Sequence, residues 1–410
     1  MLRGIPSIFA TFAAMIALLI GSHFCFAQTE TTLYNFQGAP DGSVPSARLI
    51  RDSSGNLYGT TADGGAVSYG SGTVFEISAT GKLTILYSFA GDFNGAFDGA
   101  NPMASLIRDS SGNLYGTTVN GGGSKTFGGC GTIFKLSPTG KETVLYRFTC
   151  GADGAFPLTA LLRDSEGNLY GTTSNYGNTS CVSKLGGGCG TLIRLNTSGH
   201  LTVLHTFGSG TDGQSPDADL LTDAAGNFYG STYSGGTYGY GTVYKLAKNG
   251  TYSVLYSFNF GVNNDGALPI GKLVQDSAGS LYGTTLYGGL RQTGSCGYNG
   301  CGSIFKIDPS GKETVLYAFT GEPDGSNPRA GLVADSAGNL YGTTDAGGAE
   351  NQGAVFRVDT SGQESIVHSF SFTDGAQPIA GLTPGLGDVF YGTTSQGGSA
   401  DAGVLFKLIP

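Results

Sequence analysis

An aspartate begins an Asp-Gly-x-x-Pro motif that occurs seven times in the sequence. Seven equivalent carboxylates would suit calcium ions, but a calcium loop brings several oxygen ligands together within one short segment. Each motif supplies a single aspartate followed by glycine and proline, which are residues of tight turns. We therefore interpret the motif as a repeated turn and expect neither a metal ion nor another cofactor. The aspartates are Asp41, Asp98, Asp153, Asp212, Asp265, Asp324 and Asp374; we interpret the Asp-x-x-Gly set in the same way, namely Asp52, Asp109, Asp164, Asp223, Asp276 and Asp335.

Histidine offers little catalytic or metal-binding chemistry in this sequence. His205 and His368 occupy a repeat position that is tyrosine in other copies, so we interpret them as packing residues. No histidine cluster for zinc and no Ser-His-Asp set can be assembled from neighbouring segments. Asp217 and Asp219 lie outside the repeated pattern and are candidates for glycosidic chemistry, which needs two carboxyl groups within ~5–10 Å of each other. The sequence alone places no partner for them.

Departures from the repeat identify a second set of candidates. The third residue after each motif proline is small in four copies and charged in the other three, namely Arg48, Asp219 and Lys272. If the strand that carries this position is the innermost of its sheet, the three side chains lie near the mouth of a central channel. We predict that they contact a ligand. The alternative is that they are solvated charges at the channel mouth.

Aromatic residues in glycine-rich segments form a third set. Aromatic rings stack on the apolar faces of sugars, and neighbouring amides bond to the hydroxyl groups. We predict ligand contacts from Tyr176, Tyr240 and Tyr298, and we expect all residues of this set to be exposed. Its other members are Tyr69, Phe93, Phe127, Asn175, Tyr238 and Asn299.

Repeated strands are the elements that must position these residues. The string Asn-Leu-Tyr-Gly-Thr-Thr or a close variant occurs seven times, with its tyrosines 50 to 59 residues apart. Each copy contains four strand-like runs joined by turn residues. Seven such units, each of about the length of a propeller blade, predict an all-β, seven-bladed β-propeller with four antiparallel strands per blade. We expect it to occupy residues 28–410 as a single domain. In the second copy the four runs are 104–108, 114–118, 132–136 and 143–148.

The two ends of the chain predict how the ring closes. We call the strands of each copy a to d; a d-type run at residues 31–36 precedes the first a strand, and a c-type run at residues 404–408 is the last. We expect the N-terminal strand to complete the last blade, because pairing removes an exposed sheet edge. Antiparallel order places the variable b–c and d–a loops on one face, the long-loop face. The uniform a–b and c–d turns lie on the other, the short-turn face.

The N-terminus and the cysteines both indicate export. Residues 1–27 have the basic start, the apolar run and the Cys25-Phe26-Ala27 ending of a secretory signal peptide. A retained membrane anchor is the alternative, although the apolar run is shorter than the ~20 residues of a spanning helix. Six cysteines remain after cleavage, all on the long-loop face, and an even number in an exported chain predicts disulfides. We expect local pairing among Cys130, Cys150, Cys181, Cys189, Cys296 and Cys301.

The order of the LYGTT, Gly-Gly, GTVFKL and TVLYSF strings resembles the Gloeo-Verruco (GloVer) tandem-repeat family of exported bacterial proteins over residues 31–410. The resemblance implies a bacterial origin and a secreted, periplasmic or cell-surface location. Family members often carry a C-terminal sorting anchor, whereas this chain ends at Pro410 directly after a strand, which favours a freely secreted form. The family has no established activity that can be transferred to individual residues.

Charge and pattern together set the expected function. The net charge of −9 argues against nucleic acid, which requires a basic surface, and we expect no membrane span after signal cleavage. We expect a monomeric, non-enzymatic binding scaffold that recognises a glycan or a protein through the long-loop face. Two alternatives stay open: a secreted propeller enzyme acting on polysaccharide as a hydrolase, lyase or lactonase, and a structural cell-envelope protein. The enzyme predicts a deep central pocket with convergent acids or a bound metal.

Overall fold

The computed structural model describes residues 28–410 except 67–69, 93–94, 124–127, 179, 182–186, 209 and 291–295. The expected signal peptide lies outside the described residues. The described chain forms seven blades of antiparallel sheet, each with its strands in the spatial order a-b-c-d, which confirms the seven-bladed β-propeller. Within these same residues, no helix combines the length and the apolar character needed to cross a membrane.

The strands have the following bounds. The a strands are Ile50–Arg51, Ile107–Arg108, Leu162–Arg163, Leu221–Thr222, Val274–Gln275, Val333–Ala334 and Thr383–Pro384. The b strands are Leu57–Thr61, Leu114–Thr118, Leu169–Thr173, Phe228–Thr232, Leu281–Gly288, Leu340–Thr344 and Phe390–Thr394. The c strands are Thr73–Ile77, Thr132–Leu136, Thr191–Leu195, Thr242–Leu246, Ser303–Ile307, Ala354–Val358 and Val404–Ile409. The d strands are Leu83–Ser88, Glu142–Arg147, Leu201–Thr206, Tyr252–Ser257, Glu313–Ala318, Glu364–Ser369 and Thr29–Asn35.

Short elements in the d–a and b–c loops supplement the blades. Gly266–Pro269 pairs with the extended b strand Leu281–Gly288, and Gly325–Ser326 pairs with Ala346–Gly347. Single 3-10 turns lie at Val262–Asn264 and Gly297–Asn299.

The paired part of each a strand is shorter than the sequence predicts. In the second blade, only Ile107–Arg108 of the expected run 104–108 pairs with the b strand. The preceding residues run along the channel and contact the previous blade instead. The Thr60 hydroxyl of blade 1 donates to the Ala104 carbonyl of blade 2 at 3.4 Å. Residues that lead into an a strand therefore belong to the wall of the channel.

The b strands are buried because every blade lies between two others. In Leu57–Thr61 all five residues are buried, including the two threonines. A Cβ atom on Gly59 would lie 2.6 Å from the ring of Phe75 on the adjacent c strand. Glycine in the repeated string therefore leaves room for the c-strand aromatic ring to lie over the b strand.

Neighbouring blades are joined by two recurring contacts. The first threonine of a b strand donates to a carbonyl of the next blade's channel wall, as in Thr172 Oγ1 to Pro216 O at 2.9 Å. The phenylalanine that follows a d strand packs edge to face on the next c-strand ring, as in Phe89 and Phe134 with centroids 5.1 Å apart. Both contacts are direct consequences of the repeated sequence and recur at most blade interfaces; blade 3 is an exception for the second, because Ile193 takes the place of the c-strand ring.

The ring closes as the chain ends predict. Thr29–Asn35 pairs antiparallel with Val404–Ile409 and so supplies the d strand of blade 7. Phe36 then packs edge to face on Phe75 of blade 1, with centroids 5.2 Å apart. The Thr383 hydroxyl donates to the Leu49 carbonyl at 2.5 Å, which takes the place of the usual b-strand threonine contact. The interface between blades 7 and 1 therefore uses the same kinds of contact as the others.

The motif aspartates are engaged in the turns that contain them. The Asp98 carboxylate accepts hydrogen bonds from the Tyr87 hydroxyl at 2.8 Å and from the Ala90 N–H at 3.1 Å. In the copy that carries histidine, Asp212 lies 3.1 Å from His205 Nε2 and accepts the N–H of Gly208 at 2.7 Å. The same carboxylate thus ties a d-strand side chain to the turn, in agreement with the interpretation of the motif as structural.

Candidate functional site

The segments that lead into the a strands converge on a central cavity of about 150 Å³. The first residue after each motif proline lines it, and so does the third residue in every blade except blade 3. The residues at the first position after each motif proline lie toward the long-loop face. Arg329, at this position, donates through Nε to Asp345 at 2.8 Å, and Asp345 directly follows a b strand. Ser174 follows a b strand in the same way, and its hydroxyl donates to Asp217 at 2.6 Å. The end of the cavity that Arg329 and Asp217 line therefore lies toward the face that carries the variable loops.

Arg48, Asp219 and Lys272 all line this cavity. Small residues at the equivalent positions of the other blades make room for them. A Cβ on Gly331 would lie 2.7 Å from the Cβ of Lys272, and one on Gly381 would lie 3.5 Å from the Cδ of Arg48. The pattern of three charged and four small residues thus becomes one charged cavity, although a ligand-binding role for these residues stays a prediction.

The two cations of the cavity are short of compensating charge. Both side chains are partly buried, and among the described residues neither Arg48 nor Lys272 has a salt-bridge or hydrogen-bond partner. Burial lowers the pKa of Arg48, and the nearby Asp219 opposes that shift. Burial also lowers the pKa of Lys272; Asp219 opposes this shift, and the positive charge of Arg48 adds to it. One carboxylate is thus shared by two cations.

The two acids of blade 4 lie in the same cavity in different surroundings. One oxygen of Asp219 accepts the backbone N–H of Ala160 on the neighbouring blade at 2.7 Å. Asp217 accepts the Ser174 hydroxyl, and burial raises the pKa of Asp217 to about 7 while that hydrogen bond opposes the shift. Asp217 therefore exchanges its proton near neutral pH, which is a property of general acids.

Sequence reasoning overlooked Arg329 and Ser174. Arg329 lines the cavity and is the first residue after its motif proline. Sequence reasoning compared only the third residues after the prolines, so it did not include Arg329. Aligning that first position as well would have found it, because only Asp217 and Arg329 are charged there. Ser174 carried no such signal, since its contact with Asp217 joins residues 43 positions apart on adjacent blades.

Three disulfides lie on the long-loop face. They are the local pairs Cys130–Cys150, Cys181–Cys189 and Cys296–Cys301, as expected. The first joins the start of a c strand to the residues after the adjacent d strand, and the other two each close a b–c loop. The bridges hold loops of the long-loop face to the blades. Disulfides are also typical of oxidising compartments outside the cytosol.

The predicted aromatic contacts divide into buried and exposed residues. Tyr298 and Tyr238 are 70% and 52% exposed. Tyr176 and Tyr240 are partly buried, because their rings pack against Phe156 and Phe260 at centroid distances of 6.2 and 4.8 Å. The expectation of exposure was therefore wrong for Tyr176 and Tyr240, and also for Asn175, which is only 6% exposed. Asn299 is exposed, while Tyr69, Phe93 and Phe127 lie outside the described residues.

A group of possible metal ligands lies away from the cavity. Ligand atoms of Glu30, His368 and Asp374 lie within 4.8 Å of one another at the interface between blades 6 and 7. His368 and Asp374 form the contact that tyrosine and aspartate make in other copies, with Nε2 and Oδ2 3.1 Å apart. The group is therefore accounted for by the packing of the repeat.

Solved structures with a similar fold have low sequence identity to this chain. The extracellular domain of BT4673 from B. thetaiotaomicron matches with 12% identity and a TM-score of 0.55, over 91% of this chain and 39% of that one. This chain thus spans well under half of that structure. A Bacteroides uniformis protein described as a 6-phosphogluconolactonase matches with 15% identity and a TM-score of 0.49, over 84% and 87%. A luciferin-regenerating enzyme matches with 12% identity and a TM-score of 0.44, over 93% and 95%.

These likenesses concern the fold alone, and no curated protein matches the sequence. The model of one repeat family, in contrast, matches three successive segments that together cover residues 24–410. The segments are residues 24–186, 176–296 and 289–410. The chain therefore belongs to the Gloeobacter/Verrucomicrobia repeat family.

Proposed function

We propose that this protein is an exported, monomeric, non-enzymatic binding module that recognises a glycan through its long-loop face. One end of the glycan enters the central cavity, and the chain that follows lies over the loops around it. The observation that carries the proposal is the convergence of Arg48, Asp219 and Lys272 on one cavity at the centre of that face.

The shape of the site favours binding of a chain end. A cavity of about 150 Å³ is smaller than the ~300–1,000 Å³ of typical ligand pockets, so it receives a terminal group rather than a whole oligosaccharide. The exposed rings of Tyr238 and Tyr298 on the surrounding loops offer surfaces on which further sugar units stack. The Cys296–Cys301 disulfide limits the motion of the loop that carries Tyr298 before binding.

A binding screen against bacterial and plant polysaccharides tests the proposal. We expect at least one polysaccharide to bind, and Tyr298→Ala to weaken its affinity. Leu386→Ala is the matched control, because Leu386 is 75% exposed but lies in an a–b turn on the short-turn face. An absence of binding across the screen, or equal affinity of the two variants, would contradict recognition of a glycan by the long-loop face.

A hydrolase is the second candidate, supported by the two acids in the cavity. Asp217, whose pKa burial raises to about 7, would protonate a leaving group, and Asp219 would assist the attack of water. We favour binding because Asp219 already accepts the Ala160 N–H and faces two cations, which suits it to holding a ligand. Release of reducing sugar that Asp217→Asn abolishes, while binding is retained, would establish the hydrolase instead.

A further inference from the structure

We propose that the cavity binds the carboxylate of an acidic sugar, held between the side chains of Arg48 and Lys272 against the backbone of Gly331 and Gly381. This inference rests on the proposed recognition of a glycan and names the group that enters the cavity. Such a cavity prefers glycans that end in a uronic acid over glycans that end in a neutral sugar.

The order of residues around the channel creates the site. Lys272 belongs to blade 5 and Arg48 to blade 1, and the equivalent positions of blades 6 and 7 between them are Gly331 and Gly381. Gly331 packs directly on Lys272, because a Cβ there would lie 2.7–2.8 Å from the Lys272 Cβ, O and N atoms. The two glycines thus keep one arc of the channel wall free of side chains, with a cation at each end.

The charges of the two cations require an anion. Neither side chain has a partner among the described residues, and a partly buried charge without a hydrogen bond is costly. Asp219 stands on the other side of the channel, in blade 4, and is shared between them. A ligand carboxylate on the glycine arc would complete a charge-assisted hydrogen bond with each cation.

The channel already contains one backbone amide that donates a hydrogen bond to a carboxylate. The N–H of Ala160, the blade 3 residue equivalent to Gly331 and Gly381, donates to the Asp219 carboxylate at 2.7 Å. A backbone amide at this position therefore points to where a carboxylate can lie. The amides of Gly331 and Gly381 donate no hydrogen bond to any residue in the described part of the chain. They offer two further donors on the arc between the cations.

The charge balance favours a monoanion. Arg48 and Lys272 contribute two positive charges, which Asp219 reduces to one, while the charge of Arg329 is balanced by its ion pair with Asp345. A carboxylate brings the group to neutrality, whereas a phosphate dianion leaves an excess of negative charge beside Asp217 and Asp219. The two acids instead accept hydrogen bonds from the sugar hydroxyls that accompany a uronate carboxylate.

Calorimetric titration of the mature protein with glucuronate, glucuronate methyl ester, glucose and inorganic phosphate tests the inference. We expect glucuronate to bind about 10- to 100-fold more tightly than its ester or glucose, which is the effect of losing one charge-assisted interaction. Stronger binding of phosphate than of glucuronate would overturn the assignment to a carboxylate.

Arg48→Met and Lys272→Met test the two cations separately. Each should weaken glucuronate binding by about 10-fold or more, while Lys141→Met, an exposed lysine in a c–d turn, should not. Thermal unfolding checks that each variant is folded, and the comparison of glucuronate with its ester needs no variant. Equal binding of acidic and neutral sugars would refute the carboxylate site and leave glycan recognition intact. Failure of every saccharide, in the polysaccharide screen as well, would refute both.

Discussion

The substitution Phe36→Ala tests whether the N-terminal strand holds the ring closed as firmly as any other blade interface. The Phe36 side chain is fully buried, and its ring packs edge to face on Phe75 of blade 1 and on Tyr34, with centroids 5.2 Å away in both cases. Removing a fully buried phenylalanine costs roughly 3–5 kcal/mol of unfolding free energy, because apolar contacts are lost and a cavity remains. We expect Phe36→Ala to fall within this range.

Phe89→Ala is the matched control within the chain. Phe89 is also fully buried, and it packs on Phe134 and Tyr87 with centroids 5.1 Å away. It joins blades 1 and 2, which are continuous in sequence, whereas Phe36 joins blades 7 and 1. If the closing interface is equivalent to the others, the two substitutions lower the unfolding free energy by amounts that agree to within about 1 kcal/mol.

Urea unfolding followed by circular dichroism measures both variants. The sequence contains no tryptophan, so tyrosine absorption and backbone signals are the practical probes. The slope of the unfolding free energy against urea concentration should stay the same, which shows that the ring still unfolds as one unit. A loss under about 1 kcal/mol for Phe36→Ala beside a loss of roughly 3–5 kcal/mol for Phe89→Ala would refute an equivalent closing interface.

Two further predictions concern pH and the disulfides. Burial raises the pKa of the d-strand residues Glu142, Glu313 and Glu364 to about 7, and a neighbouring aspartate reinforces each shift. The folded state therefore binds their protons more tightly than the unfolded state does. Because of this difference, stability is lost as pH rises from about 5 to about 8. Across this pH range, the unfolding temperature should fall less for the triple variant with glutamine at Glu142, Glu313 and Glu364 than for the unchanged protein. Identical pH profiles of the two proteins would contradict the raised pKa of these glutamates. Replacing Cys181 and Cys189, eight positions apart, by serine removes a loop constraint worth roughly 2–3 kcal/mol. We expect faster proteolysis of the b–c loop with an unchanged sheet spectrum, and loss of the sheet spectrum would show that the bridge supports the ring itself.

The fold could be predicted from the sequence because its determinants are local and repeated. Turn residues such as Asp109 and Gly112 recur at fixed distances from the b-strand string, so strand number and order follow from spacing. The lengths of the a strands could not be predicted in this way. Whether residues 104–106 pair within the blade or line the channel depends on how closely seven blades approach one another at the axis, which is a property of the assembled ring.

The candidate site was only partly accessible from the sequence. Arg48, Asp219 and Lys272 stood out because they depart from the repeat at one aligned position, and alignment is a property of sequence. The exposure of Asn175 was judged incorrectly, because hydrophilic character does not say whether a loop folds back on its own blade.

The sequence by itself thus determined the seven blades, the closing strand and the face on which the long loops and six cysteines lie, because strand alternation and turn chemistry act over a few residues. Only the tertiary structure decided which charges meet. Lys272 and Arg48 are far apart in the chain, and they share one cavity because the ring returns blade 7 to blade 1 and because Gly331 and Gly381 place no side chain between them. The raised pKa of Asp217 has the same origin, since it depends on burial by neighbouring blades that no stretch of sequence near Asp217 describes.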